Sequence, residues 1–214
     1  MAPPRRIRPA FFLVAVLSAG TFGGCGASGA LSTMESFRRV SDDASGFLAS
    51  IPYAADRSLV AERLAEVEST RRAHKQSIFP IAAANLVVGC AILIFSWGLL
   101  SRRERARVMT VQLLGLQVVL DVIEYALTPE LRGRVLALAS SYLDAQAHAA
   151  SDALSPEVLE VLRQIVLRAP AVGLGVGLVS HLLTAVPLLR QDVKEFCLAS
   201  AADEADGSGS GDDE

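Results

Sequence analysis

The chain lacks the clustered residues that catalytic and metal sites need. Its three cysteines and three histidines are scattered over 214 residues, and the cysteines neither pair naturally nor have a metal-ligand spacing such as CxxC. No Ser/His/Asp arrangement, paired-carboxylate cleft or nucleophile-elbow pattern is present. The sequence therefore predicts a protein that is not an enzyme and has no catalytic residue, no metal site and no cofactor.

Aromatic residues and long basic stretches are also scarce. Aromatics make up 6% of a chain that is 51% hydrophobic, and Ala, Leu and Val dominate. Strands of β-barrels favour β-branched and aromatic residues, so this composition favours helices. The net charge is −3, and no face is basic over a length that would indicate nucleic-acid binding. We expect an all-α protein without a nucleic-acid partner.

What the chain does contain is an uncharged run over residues 78–100. About 20 apolar residues in a helix cross a hydrocarbon core of about 30 Å. Trp97 near the end of the run suits the membrane interface, and residues 101–107 carry four arginines against one glutamate. Such a cluster resists translocation. The run therefore predicts a transmembrane helix that ends on the cytoplasmic side.

A second uncharged run covers residues 169–189, a length of about 21 residues that also matches a bilayer. Gly173 and Gly177 lie one turn apart in it, and such a small-xxx-small face lets two helices approach closely. The alternative is that glycines are simply common in membrane helices. A nucleotide-binding glycine loop is disfavoured, because these glycines lie inside an apolar segment.

Residues 108–127 are apolar except for a narrow polar stripe. At 100° per residue, the stripe falls within about 60° of one helix face and consists of Thr110, Gln117, Asp121, Glu124 and Thr128. A central charge costs about 2.5–3.5 kcal/mol on the insertion scale, so insertion alone is marginal. The segment is either a third span within a hairpin over residues 78–127 or an amphipathic helix on the membrane surface. We favour the span, because the turn before it is short.

Polar residues inside apolar segments are the candidate site residues. Asn85 and Gly89 lie one turn apart in the first span, and an asparagine in a bilayer usually hydrogen-bonds another helix. Asp121, Glu124 and His181 are the ionisable groups of the apolar segments and the candidates for an ion pathway. The alternative for the two acids is an interfacial helix with solvated carboxylates.

Within residues 1–30, the first nine residues carry three arginines. An apolar run of about 11 residues and a stretch of small residues follow. This order predicts a secretory signal peptide or a signal anchor. The sequence Phe22-Gly23-Gly24-Cys25 resembles a bacterial lipoprotein lipobox. That resemblance implies lipidation at Cys25. The alternative is cleavage near Ala30.

Polar segments connect these apolar ones. Residues 31–77 hold seven bases and seven acids, and a helical stripe of Val60, Leu64 and Val67 predicts an exposed helical segment. Residues 128–168 contain two helix starts, Thr-Pro-Glu and Ser-Pro-Glu, and each places a hydroxyl at the N-cap and proline at the first helical position. We expect two amphipathic helices there.

The C-terminal segment, residues 190–214, is an acidic tail. Its last twelve residues hold six acids and no base. Such a Gly/Ser/acid composition cannot build a hydrophobic core, so the sequence predicts disorder.

Together these patterns predict an all-α integral membrane helical protein with an N-terminal signal sequence, two firm transmembrane helices, a marginal third and short amphipathic helices. We expect it in the inner membrane of a bacterial cell envelope. There it would contact membrane lipid and bind protein partners or further copies of itself through its transmembrane helices. The expected function is a non-catalytic interaction or assembly component. The alternative is a small transport or ion-conducting subunit that uses Asp121, Glu124 and His181.

We expect the protein to stay in the membrane pellet after an alkaline carbonate wash and to need detergent for extraction. Two uncharged helices of 20 or more residues have no other way to be buried in a chain this small. Immunoblots of the pellet and supernatant check this expectation. Release by carbonate or by high salt would show that the protein is only peripherally bound.

Overall fold

A computed structural model describes residues 9–36, 44–101, 103–150, 155–195 and 197–198. The described residues form seven helices with assigned bounds, residues 191–195 and 197–198 are also helical, and none of the described residues belongs to a strand, so the predicted all-α class is confirmed. The helices are α1 (Pro9–Ser36), α2 (Ala44–Ala49), α3 (Ala54–Ala73), α4 (Lys75–Leu100), α5 (Glu104–Leu127), α6 (Pro129–Ala149) and α7 (Pro156–Leu189).

Four helices are long and apolar enough to cross a membrane, namely α1 over Phe12–Glu35, α4, α5 and α7. Helices α4 and α7 contain the two firm spans and α5 the marginal one, so the prediction of a helical membrane protein is confirmed. Helix α1 is longer than the apolar run that predicted a signal, because only uncharged residues separate Arg8 from Glu35. Whether it acts as a signal stays a prediction.

Prolines lie inside α4 and α7 without interrupting either helix. Pro80 lies inside α4, and α7 runs through Pro170 without a break. Membrane helices tolerate proline because neighbouring groups satisfy the freed carbonyl. The amphipathic helix and the span that the sequence predicted on either side of residue 169 are therefore one helix of 34 residues.

The chain divides into two compact units. The first, here called the bundle unit, comprises the described parts of residues 1–31, 83–121 and 177–214. The second, the α3/α6 unit, comprises those of residues 32–82 and 122–176. Each unit has its own buried apolar cluster.

The core of the α3/α6 unit forms where α3 packs on α6. Ile51, Val60 and Ala145 are buried there, and partly buried apolar side chains surround them. The ring of Phe47 stacks on Tyr142 with 4.7 Å between centroids. Val60 belongs to the apolar stripe that the sequence predicted for this segment, so the stripe faces the core at that position.

Three ion pairs cross between α3 and α6 along their length. They are His148 Nδ1–Asp56 Oδ2 at 3.3 Å, Arg134 Nη1–Glu66 Oε2 at 3.0 Å and His74 Nε2–Glu130 Oε2 at 3.8 Å. Residue numbers fall along α6 as they rise along α3, so the two helices are antiparallel. Exposed pairs contribute little to stability, and their main effect here is to fix the register.

Glu66 accepts hydrogen bonds from two arginines, Arg63 of its own helix and Arg134 of α6, both at 3.0 Å. The bond from Arg63 lowers the pKa of Glu66, and the charge of Arg134 lowers it further. A carboxyl with a lowered pKa stabilises the fold above its ordinary pKa, and the effect is lost as the pH falls through the lowered value. The link between Glu66 and Arg134 is therefore fully present above the ordinary pKa of a glutamate and is lost in acid.

The two predicted helix starts differ in detail. At the start of α7, the Val158 N–H donates to Ser155 Oγ at 3.4 Å, so the serine caps the helix as predicted. At the start of α6, Thr128 occupies the N-cap and Pro129 begins the helix as predicted, but the Thr128 side chain makes no cap hydrogen bond. Its hydroxyl donates instead to the Glu124 carbonyl at 2.7 Å, because the preceding helix offers an unpaired acceptor in its last turn.

We expect Ile51→Ala to destabilise the α3/α6 unit by about 2–5 kcal/mol, because it leaves a cavity at a fully buried side chain. Thermal unfolding in detergent, followed by circular dichroism, measures the effect. Leu59→Ala is the matched control, since Leu59 is 44% exposed and its loss should change stability by no more than about 0.5 kcal/mol. Equal destabilisation by both variants would contradict this packing.

Candidate functional site

Two glycines of the bundle unit, Gly23 of α1 and Gly89 of α4, lie at a close contact between their helices. A Cβ atom added to Gly23 would lie 2.8 Å from the carbonyl oxygen of Gly89, and one added to Gly89 would lie 2.7 Å from the backbone nitrogen of Ala27. No side chain fits at either position. The two backbones are therefore in direct contact, and Gly89 lies where the sequence suggested helix packing.

The contact continues along α1 as a stripe of small residues. Ala15, Ala19, Gly23 and Ala27 recur at every fourth position and are all buried. Small residues at this spacing let membrane helices approach closely. The four-residue period is visible in the sequence, but the same small residues are typical of a signal, which is what this stretch was predicted to be.

The stripe bears on the suggested lipidation of Cys25. That residue is exposed on α1 and forms no disulfide. Cleavage before a lipidated Cys25 would remove Ala15, Ala19 and Gly23 from the bundle core. The lipidation stays a prediction, and it is incompatible with the packing of α1 described here.

A polar cluster joins α4 and α5 inside the bundle unit. Gln117 Nε2 donates to Asn85 Oδ1 at 3.1 Å and to Asp121 Oδ1 at 2.9 Å. Gln117 and Asn85 are 6% and 8% exposed. An unpaired polar group in an apolar interior costs several kcal/mol, so these hydrogen bonds hold the hairpin together. Asn85 thus bonds a neighbouring helix.

One atom of this cluster has no hydrogen-bond partner among the described residues. Gln117 Oε1 is buried without a donor and faces α1, since a Cβ added to Gly26 would lie 3.9 Å from it. Helices α1, α4 and α5 therefore meet at Gln117. Gln117 belongs to the predicted polar stripe of α5, but the sequence did not indicate its contacts with α4 and α1.

His181 is buried on α7 and contacts α1. Its Nδ1 lies 2.6 Å from the carbonyl oxygen of Gly177, and its ring packs on Phe22 with 5.1 Å between centroids. Because a carbonyl can only accept, Nδ1 carries the proton of this hydrogen bond. The histidine thus has a local partner on its own helix and an aromatic partner on another.

The three ionisable candidates belong to two units. Asp121 and His181 lie in the bundle unit, where Asp121 accepts a hydrogen bond from Gln117 and His181 bonds the Gly177 carbonyl. Glu124 belongs to the α3/α6 unit. Their use in an ion pathway stays a prediction.

A buried arginine links the start of α5 to the end of α7. The Arg107 guanidinium donates to both carboxylate oxygens of Glu104, at 2.6 and 2.7 Å, and to the Leu188 carbonyl at 2.6 Å. The last carbonyls of a helix lack intrahelical partners and carry partial negative charge. Arg107 satisfies one of them. From the sequence, Arg107 was predicted only as one of the four arginines of residues 101–107.

The glycines of α7 leave free space beside them. Among the described residues, nothing lies within 4 Å of a Cβ added at Gly173, Gly175 or Gly177. The residues of α7 that are buried are His181, Thr184 and Leu188, and His181 follows Gly177 by one turn on the same face. The helix-packing role of Gly173 and Gly177 stays a prediction.

No group of three or more His, Cys, Asp or Glu side chains in the described residues could hold a metal ion. The hydrogen bonds of Gln117 and Arg107 each join two helices. Comparison with protein-family models, with curated proteins and with solved structures finds no match.

We expect Gly23→Ala to destabilise the bundle by about 1–3 kcal/mol, because the new methyl group overpacks the contact with the Gly89 backbone. Gly24→Ala is the control, since its Cβ would lie 3.9 Å from the nearest Leu93 atom, an ordinary contact. Better helix propensity should leave that variant unchanged or more stable by up to about 1 kcal/mol. Melting temperatures in detergent check both, and a stable Gly23→Ala variant would exclude the backbone contact.

Proposed function

We propose that the protein is a non-catalytic integral membrane protein of the bacterial inner membrane that acts as an interaction or assembly component. The observation that carries this proposal is an exposed apolar patch near the start of α7. Val158, Val161 and Ile165 lie there at 46%, 58% and 59% exposure. Contiguous exposed apolar side chains commonly mark a binding surface.

Membrane lipid does not account for this patch. Helix α7 has 34 residues, which is about 51 Å of helix at 1.5 Å per residue, whereas a hydrocarbon core is about 30 Å thick. Its uncharged part, residues 169–189, is long enough to fill that core. The patch precedes Arg168 and alternates with Glu157, Glu160 and Arg163, so it lies where lipid tails do not reach.

The order of the membrane crossings along the chain supports a location of α3 and α6 on the same side of the membrane. Four successive crossings by α1, α4, α5 and α7 would put the described residues 44–74 and 128–150 on one side and residues 101, 103 and 190–195 on the other. The arginines of residues 101–107 favour the cytoplasm for the second pair. Helices α3 and α6, with the patch on α7, would then be external.

The polar groups of the bundle also favour an assembly role. Asn85 and Gln117 bond each other across two helices, and Arg107 caps the end of a third. Side chains engaged in this way hold helices in fixed positions. A rigid bundle that carries an external helical segment suits a protein that positions partners.

One observation favours the alternative of a small transport or ion-conducting subunit. The Asp121 carboxylate accepts a hydrogen bond from Gln117, whose own oxygen is buried without a donor. An ionisable group inside a membrane segment is a functional candidate by default. Proton or cation flux in proteoliposomes that is abolished by Asp121→Asn would favour this alternative.

The interaction role is tested with a photo-crosslinking amino acid at Val161 in intact cells. We expect an adduct with protein at Val161 and none at Glu160, an exposed residue on another face of the same turn. Gel mobility and mass spectrometry identify the adduct. Failure to capture protein at Val161, or equal capture at both positions, would remove the support for a partner surface.

A further inference from the structure

Exposed β-branched residues recur along α7 with a period of seven. They are Val158, Ile165, Val172, Val179 and Val186, and each is between 46% and 59% exposed. A strict period of seven, sustained for four or more repeats, is the signature of a helix that supercoils around a partner. In heptad notation these residues occupy position a.

Position d lies three residues after each position a, and its residues are also exposed. It is filled by Val161, Arg168, Gly175, Leu182 and Leu189, all of them exposed. Val or Ile at a with Leu at d favours two parallel strands over higher oligomers, and Leu182 and Leu189 provide that combination in the C-terminal part of the helix. Gly175 at a d position has nothing within 4 Å of an added Cβ, so it leaves room for close approach. We call these ten residues the α7 seam.

The contacts of α7 within its own chain use other positions of the heptad. His181 and Leu188 occupy position c and Thr184 position f, and all three are buried. Pro170 also occupies position f, so its ring lies on the side opposite the seam. The chain thus packs α7 through one face and leaves the seam face uncovered.

We propose that the α7 seam pairs with the α7 seam of a second copy of this chain, in a parallel two-stranded coil. The inference rests on the proposed interaction role and names its partner. Two copies inserted with the same topology carry α7 in the same direction, so a two-fold axis along the membrane normal gives a parallel pair. The seven-residue period favours a supercoiled pair, and the Val and Ile residues at a with Leu182 and Leu189 at d favour two parallel strands.

The area of the seam is sufficient for a stable pair. Eight large apolar side chains at about half exposure present roughly 800 Å² per copy, which is the area one partner contributes to a standard interface. Lipid covers apolar residues only within the bilayer, whereas the seam continues through Ile165 and Val161 to Val158. A second α7 covers both parts with one continuous contact.

Arg168 is the one charged residue of the seam, and it lies at the start of the uncharged span. A long arginine side chain at a membrane interface extends its guanidinium towards the lipid phosphates. The two arginines of a parallel pair therefore diverge from each other. Their repulsion lowers the stability of the pair locally and leaves the remaining seam positions unaffected.

Disulfide crosslinking in native membranes tests the pairing. In a chain with Cys25, Cys90 and Cys197 replaced by alanine, single cysteines are placed at Val158, Ile165, Val172 and Val179, and a copper–phenanthroline oxidant supplies the electron acceptor. We expect dimers of two 22.6 kDa chains at these four positions. Cysteines at Glu160 and Leu167, both exposed at position c, are the controls and should stay monomeric.

Two substitutions outside the span test the same seam by a different measurement. We expect Ile165→Glu to lower the dimer fraction at least tenfold in nanodiscs or mild detergent, while Leu167→Glu leaves it unchanged. Both residues are exposed leucine-sized side chains that precede Arg168, so their effects on folding and insertion should match. Equal effects of the two variants would overturn the proposal.

The outcomes separate this inference from the interaction role. Crosslinks at every position alike, or at none, overturn the α7 pair. If the photo-crosslinker at Val161 then still captures a different protein, the interaction role stands and only the identity of the partner was wrong. If it captures no protein either, both proposals fail.

Discussion

The direct contact between the backbones of α1 and α4 is the constraint on which the bundle unit depends. At both Gly23 and Gly89, a side chain would collide with the backbone of the other helix. Two helices this close exchange many weak dispersion contacts, which are the main attraction available between helices surrounded by lipid. A bundle held in this way needs α1 as an integral part, so residues that resemble a dispensable leader fill its core.

Polar residues in the bundle complement that contact. One turn from Gly89, the pair of Asn85 and Gln117 joins α4 to α5, and Arg107 joins α5 to the end of α7. Each of these bonds satisfies a group that would be costly if unpaired in an apolar interior. Small residues bring the helices together, and the polar pairs determine how they are aligned.

Much of the helical architecture could be predicted because it depends on local patterns. Uncharged runs gave the spans in α4 and α7, and the stripe around Val60 gave the buried face of α3. The length of α1 was missed, because small residues such as those around Gly24 are typical of both a cleavage region and a membrane helix. The role of Arg107 could not be predicted, since its acceptor Leu188 is 81 residues away in the chain.

The bond from Arg107 to Leu188 has a mechanical consequence for α7. Sliding this helix along its axis by one turn, about 5.4 Å, would break a charge-assisted hydrogen bond in a buried environment. The Leu188 carbonyl would lose its donor, while Arg107 would keep its two hydrogen bonds to Glu104. The last turn of α7 is therefore held against axial displacement relative to the start of α5.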